Sequence, residues 1–261
     1  MTITIENGIP TYQGDTFKVA MTRYSDPDRL NAARNAARYL GKKDINNIRR
    51  PLSIIRMGHV PAIFRGEYIE FEFYDVSKDA YDHLVTYSTA RMRVAGGNRA
   101  LRSDSYTMPS DKMKDPAYVR EKIAASMKNY HDLLDAGETP QVSRSAMPVN
   151  SKLNTFVYQF NFVTLAESIF RQRIWEKGAQ GNTEKVVQAM WELAHSVDPQ
   201  LWDTFYEWYG EPAANWVEVR RKLKKKKVTF RDFISQFKAE DADRSLEDVL
   251  VELFGEQKSM W

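Results

Sequence analysis

Ile69-Glu70-Phe71-Glu72-Phe73 alternates apolar and acidic residues with period two, the signature of a half-buried strand. Ile69, Phe71 and Phe73 are expected on the core face and both glutamates outward. The strand runs into Asp75-Val76-Ser77, a helix-capping signal, and then Ala80, Tyr81, Leu84, Val85 and Ser88 at helical spacing. Upstream, Ile3 and Ile5 alternate with Thr4 and Glu6 as a short first strand. Ser25-Asp26-Pro27 predicts a helix start with Leu30, Ala33, Ala37 and Leu40 on one face and Gly41 as its stop. A basic linker, Lys42 to Arg50, leads to Pro51 and a short helix through Leu52, Ile55 and Met57.

Downstream, Ala95-Gly96-Gly97-Asn98-Arg99 is a glycine-containing loop. Asp115-Pro116 opens a helix with Val119, Ile123, Met127, Tyr130 and Leu134 as its stripe, closed by Gly137. Phe156, Phe160, Val163, Ile169 and Phe170 argue for one long buried helix from Leu153 to Arg173. The remaining chain reads as helical: Glu184–Ala194, Leu201–Tyr209, Trp216–Leu223, Phe230–Phe237 and Ser245–Phe254. Few short strands among many helices predict the α+β class.

Composition sets limits. The 261 residues carry 38 Lys+Arg against 35 Asp+Glu, a net charge of +3, with 43% hydrophobic and 12% aromatic residues. That is enough apolar material for a core and excludes global disorder. No apolar run approaches the roughly 20 residues that span a bilayer, and no signal peptide is apparent, so a cytoplasmic protein is expected. There is no cysteine, which excludes disulfides, cysteine zinc sites, Fe–S clusters and thiolate nucleophiles. His59, His83, His131 and His195 lack metal-ligand spacing, and no metal is expected. His131 and His195 read as structural, and His59 lies in a Gly-His turn. Asp241, Asp243 and Ser245 imitate the start of a calcium loop but lack its glycine. Arg220 to Lys227 is a basic run that reads as a solvated helix end, so nucleic acid is not expected as a partner. Gly96-Gly97-Asn98-Arg99, with Arg91, Arg93 and Arg102 nearby, is either an ordinary turn or a phosphate cradle.

Four blocks in order resemble the flavin-dependent thymidylate synthases, the ThyX family. Gly58-His59-Val60-Pro61 with Phe64, Glu67, Phe71 and Phe73 is similar to H-G-H-x-T-P-F-E-H-x-x-F-x-F. The helix through His83-Leu84-Val85 is similar to the stretch ending in H-Q-L-V-R-H-R. Arg144-Ser145-Ala146-Met147-Pro148 resembles R-x-x-L-P. Asn161 to Leu165, Ile169 to Arg173 and Ala179-Gln180 resemble N-x-R-S-L, F-L-x-L-R and A-Q-W-E, with one-residue slips between them. The chain departs at the signature: in the gapless register R-H-R falls on Thr86-Tyr87-Ser88, and Val163 replaces a family arginine. In a second register, with a five-residue insertion, Arg91-Met92-Arg93 takes R-H-R.

The resemblance implies a homotetrameric α+β fold with a small antiparallel sheet. It implies one domain over 1–261 with a helical C-terminal extension from about residue 210. The implied reaction moves the methylene of methylenetetrahydrofolate to C5 of a deoxypyrimidine monophosphate and reduces it through FAD, with NADPH as electron source. Arg171 and Arg173 would be catalytic. His59, Tyr87, Ser88, Arg91, Arg93 and Asn161 would hold the cofactors. His83, Gly96, Gly97, Asn98, Arg99 and Arg144 would bind the nucleotide. With R-H-R lost, a C5 hydroxymethylase, a dCMP-modifying enzyme or a catalytically silent nucleotide- or nucleic-acid-binding protein are the alternatives.

Overall fold

The computed structural model describes residues 2–59, 63–86, 91–96, 103–109, 112–176 and 181–226. Its centre is a six-stranded antiparallel sheet in the order β1-β2-β3-β4-β6-β5. The strands are β1 (Thr2–Glu6), β2 (Ile9–Gln13), β3 (Lys18–Tyr24), β4 (Tyr68–Tyr74), β5 (Arg91–Ala95) and β6 (Phe156–Asn161). The α+β class is therefore as expected. Strands β2 and β3 were not anticipated, although Asn7-Gly8 signals them. Both residues take positive φ, 51° and 81°, and form the two-residue turn whose twist matches a hairpin.

The decisive strand extends one residue beyond the predicted stretch at each end. Ile69, Phe71 and Phe73 are fully buried and stand opposite Phe160, Tyr158 and Phe156 of β6. Glu70 corrects the outward reading: it is buried. A register shift between Met21 and Arg23 of β3 leaves Thr22 to donate to Glu70 Oε1 at 2.9 Å, and Arg23 Nε lies 3.7 Å from the same oxygen.

The long helix expected from Leu153 to Arg173 is two elements. Phe156–Asn161 is β6, and the helix α6 (Thr164–Trp175) follows it with π-type hydrogen bonding. Phe156 and Phe160, four apart, satisfy helical spacing as well as strand alternation. Buried Tyr158 between them breaks the tie toward the strand. Likewise Arg91 and Arg93, expected in or beyond a helix, lie in β5 opposite Phe160 and Tyr158. The helix α3 (Lys78–Val85) stops short of Ser88, which lies outside the described residues.

The helix α1 (Leu30–Tyr39) begins later than predicted. Asp26 nevertheless does the capping, accepting from the backbone N–H of Asn31 and Ala32, both at 2.9 Å. Its buried stripe is Ala32, Ala33, Ala36 and Ala37, while Leu40 is exposed. Gly41, at φ 61°, ends the helix as expected, and Lys42 N–H reaches back to Ala37 O at 2.8 Å. In α2 (Arg50–Arg56), Pro51, Ile54 and Ile55 are buried and Met57 beyond it is exposed. In α4 (Pro116–Asp135), capped by Asp115, only Met127 and Tyr130 of the predicted stripe are fully buried. A short α5 (Pro140–Ser143) precedes the turn holding Arg144.

The C-terminal helices are α7 (Gly181–Val197), α8 (Pro199–Phe205), a π-type turn Tyr206–Gly210, and α9 (Glu211–Lys226). Helix α7 packs on β2 and β3, and α6 on β6, so the aromatic face of the sheet is covered. The predicted helices Phe230–Phe237 and Ser245–Phe254, and the Asp241 loop, lie outside the described residues. Among the described residues no helix is long and apolar enough to cross a membrane.

A buried polar network joins these layers. Arg29 Nε lies 2.8 Å from Asp198 Oδ2, and Ser25 Oγ donates to Glu67 Oε2 at 2.6 Å. Asp26, Glu67 and Asp198 are all buried, with Asp26 close to each of the other two carboxyls. Burial is the main reason that Glu67 and Asp198 titrate above their ordinary range. A raised carboxyl contributes stability that is fully present below its unfolded value and is lost as pH rises through the folded one. Glu67→Gln removes one such titration while keeping an acceptor for Ser25. Its melting temperature relative to wild type is expected to climb between about pH 4 and pH 8. A difference that stays flat in calorimetry over that range would remove Glu67 from the pH dependence.

Candidate functional site

Asn161, at the end of β6, is almost wholly committed to the backbone. Its Nδ2 donates to Phe64 O (3.0 Å), Arg65 O (2.8 Å) and Glu67 O (3.0 Å). Its Oδ1 accepts from Val163 N–H at 2.9 Å. The residue ties the turn Phe64 to Glu67 before β4 to the start of α6. Asn161→Ala would orphan these buried groups, costing about 2–3 kcal/mol. A melting temperature lowered by roughly 5–10 °C in ligand-free protein is expected. An unchanged one would leave Asn161 free for a cofactor.

His59 is exposed at the end of the turn that follows α2. Its backbone N–H reaches Ile54 O at 3.2 Å. Its Nδ1 lies 3.3 Å from the Tyr39 hydroxyl, with ring centroids 5.6 Å apart. Gly58 before it adopts φ 77°, and a Cβ there would meet the Trp208 ring at 3.2 Å. Tyr39 and Trp208 were not found from the sequence. Their signal was the exposed aromatic end of α1 and the aromatic run Phe205 to Tyr209.

A second grouping surrounds α3. His83 is exposed, and its Nδ1 lies 3.0 Å from Oγ1 of buried Thr183 in the first turn of α7. Next to it Asn182 Nδ2 donates to Thr107 Oγ1 (2.8 Å) and Met108 O (3.2 Å). Tyr81 of α3 meets Tyr158 of β6 hydroxyl to hydroxyl at 3.2 Å, and Arg93 stands opposite Tyr158 on the edge strand, exposed. Gly96 closes β5 at φ 76°; a Cβ there would fall 2.5 Å from Thr155 O and 2.7 Å from Phe156 Cα, so only glycine fits. Tyr87, Ser88, Gly97, Asn98, Arg99 and Arg102 lie outside the described residues. For Arg91 only the backbone position is described. Arg144 is half-buried, and its Nη2 donates to Gln141 Oε1 at 3.0 Å.

The arginine-bearing helix forms the third part. Arg171 Nε pairs with Glu176 Oε1 at 2.7 Å, and Glu176 N–H donates to Arg171 O at 2.8 Å, the five-residue spacing of a π-helix. Arg173 is half-buried. Tyr209, half-buried beside Glu167 and Arg171, has its phenol pushed up to about 12. Burial is the chief cause, the Glu167 charge adds to it, and Arg171 opposes it. It is therefore a neutral hydrogen-bond donor at physiological pH. His131 and His195 hold structural contacts, with Ser103 O at 3.0 Å and Asp203 Oδ1 at 2.9 Å. Among the described residues no cluster of three or more His, Asp or Glu could hold a metal.

Tyr39 and His59 present paired exposed rings, which suit stacking on a planar ligand. Arg93, on the edge strand, presents an exposed guanidinium that suits an anion. Asn161 adds no amide hydrogen, since both are spent on carbonyls.

Comparison with known proteins places the geometry. Residues 15–200 match the family described as thymidylate synthase complementing protein. No curated protein matches the chain. Among solved structures the fold is similar to the UMP/dUMP methylase PolB from Streptomyces cacaoi bound with 5-Br dUMP. The TM-score is 0.56 at 17% identity, covering 74% of this chain and 96% of that one. The family match runs from before β3 through α7 and takes in His59, His83, Arg93, Arg144, Arg171 and Arg173. The chain belongs to the thymidylate synthase complementing protein family, the ThyX family.

Proposed function

We propose that this protein transfers a one-carbon unit from methylenetetrahydrofolate to C5 of a deoxypyrimidine monophosphate, in a flavin-dependent reaction of the dUMP-to-dTMP type. The observation that carries this reading is the family match across residues 15–200, which keeps Arg144 and the arginines of α6 on one continuous scaffold. The similar solved structure is that of a UMP/dUMP methylase, which supports a uracil nucleotide as substrate.

The chain's own residues account for binding and polarisation. Arg144 and one arginine of α6 hold the nucleotide. A guanidinium at the pyrimidine carbonyl stabilises the negative charge that builds as C5 becomes nucleophilic. With no cysteine, no protein thiolate adds to C6. FAD, when bound, would supply the reducing hydride drawn from NADPH. The α3 and His59 groupings sit on different elements, which suits a site completed by neighbouring protomers of a homotetramer.

A second reading is C5 hydroxymethylation, or modification of a different base. It is favoured by the gapless register, which puts Thr86-Tyr87-Ser88 at R-H-R, and by Val163, which replaces an expected arginine. Incubation with dUMP or dCMP, labelled methylenetetrahydrofolate, FAD and NADPH, followed by mass analysis, decides between them. A product 14 mass units heavier than dUMP supports the first reading, and one about 30 units heavier the second. Absence of product, together with no nucleotide binding, removes both.

A further inference from the structure

We propose that the aromatic turn Tyr206–Gly210 is a positioning element that sets the spacing between the His59 turn and the arginine-bearing helix α6. The turn lies beyond the family-matched residues 15–200. The inference rests on the proposed function in one respect: it takes His59 and the α6 arginines as parts of the same site.

The turn is held on two sides. Toward α2, the edge of Trp208 packs on Gly58, so close that a Cβ there would lie 3.2 Å from its Cζ2. Glu207 Oε2 accepts from both Nη2 (3.1 Å) and Nε (3.2 Å) of Arg56. These contacts bracket the end of α2 and reach the residue before His59. Toward α6, Tyr206 packs edge-on against Trp175 with centroids 5.6 Å apart. Gly210 leaves no room for a side chain, since a Cβ would fall 2.3 Å from Tyr206 Cδ2 and 2.8 Å from Trp175 Cδ2. Trp175 closes the helix that carries Arg171 and Arg173.

Four residues apart on one helical turn, Tyr206 and Gly210 share one side while Glu207 and Trp208 face another. Removing either grip would let the His59 turn shift against α6. A displacement of about 1 Å at a catalytic group costs up to about a hundredfold in rate.

The test uses the full-length protein with Trp208→Ala, Trp208→Phe and Glu207→Gln. Nuclear magnetic resonance of the His59 imidazole in ligand-free protein reads its position and environment. Steady-state kinetics with dUMP separates kcat from KM. Trp208→Ala is expected to move the His59 resonance, and to lower kcat at least about tenfold while KM changes less than about threefold. Trp208→Phe should restore most of kcat. Glu207→Gln, at a half-exposed ion pair, should move His59 the same way by less. A His59 resonance unmoved in Trp208→Ala and in Glu207→Gln, with kcat at the wild-type level, overturns the inference. Should Trp208→Ala not fold, the other two variants decide by the same readouts. Wild-type protein that forms no product and binds no nucleotide overturns the proposed function instead. The His59 measurement still decides the positioning role, because it needs no substrate.

Discussion

Arg29→Met is expected to lower the melting temperature by roughly 10 °C, the largest stability loss among the predicted substitutions. Arg29 is buried and its Nε lies 2.8 Å from Asp198 Oδ2, while its Nη2 donates to Gln200 Oε1 at 2.9 Å. Asp198 is buried too and caps α8 by accepting from Leu201 N–H at 3.1 Å. Truncating one partner of such a pair leaves the other charge without compensation, at a cost of about 3–5 kcal/mol. Asp26 lies close enough to Asp198 to add to its burial penalty, so the guanidinium offsets more than one buried carboxyl. Without it, Asp198 becomes harder to ionise still, and the deficit of the variant should shrink as pH falls and the carboxyl takes up a proton. Adding Asp198→Asn should recover much of the loss, because asparagine keeps the helix-capping acceptor without the charge. A double variant no more stable than Arg29→Met would show that packing of the arginine, not its charge, matters. The consequence reaches the site, since α8 leads directly into the turn that meets the His59 segment.

How much of this was legible in the sequence depends on which residues carried two signals at once. Strand β4 was legible because acidic and apolar residues alternate strictly, a pattern no helix repeats. Strand β6 was not, because Phe156 and Phe160 fit a helix as well, and the true helix follows without a break. Strand β5 was hidden by its composition: Arg91 and Arg93 alternate with Met92 and Val94, both of which are exposed. Only its pairing with β6, a long-range contact, makes it a strand. Glu70 was misread because the register shift that buries it lies in β3, 48 residues away. For the site, the family blocks nominate His59, His83, Arg144 and the α6 arginines. Local patterning could not show that Tyr39 meets His59, that Thr183 meets His83 or that Trp208 packs on Gly58. The one-residue slips between the last blocks have a physical counterpart, because a helix absorbs an inserted residue by widening into π geometry, and α6 does so over Thr164–Trp175.

That widening leads to the largest effect expected on activity: Arg173→Ala should cut turnover by about a hundredfold to a thousandfold, and Arg171→Ala by less than about tenfold. Both arginines resemble the family residue that meets the pyrimidine, but they lie two positions apart. At roughly 4.4 residues per π turn they point to nearly opposite sides of the helix, so only one of them could face a nucleotide bound as proposed. Arg171 is engaged by Glu176 at 2.7 Å and sits beside Tyr209 near Glu167. Its charge is already balanced by the Glu176 carboxylate. An inserted residue in α6 shifts the family position downstream, toward Arg173, which is half-buried and two residues from Trp175. A guanidinium there is the better placed to receive charge from the ring. Arg173→Lys should recover little, since a single ammonium does not reproduce the planar fork. Single-turnover measurements with labelled methylenetetrahydrofolate, alongside melting curves that confirm folding, separate the two variants. Arg173→Ala that keeps turnover within about threefold of wild type while Arg171→Ala abolishes it would exchange the roles and return the family arginine to the upstream register.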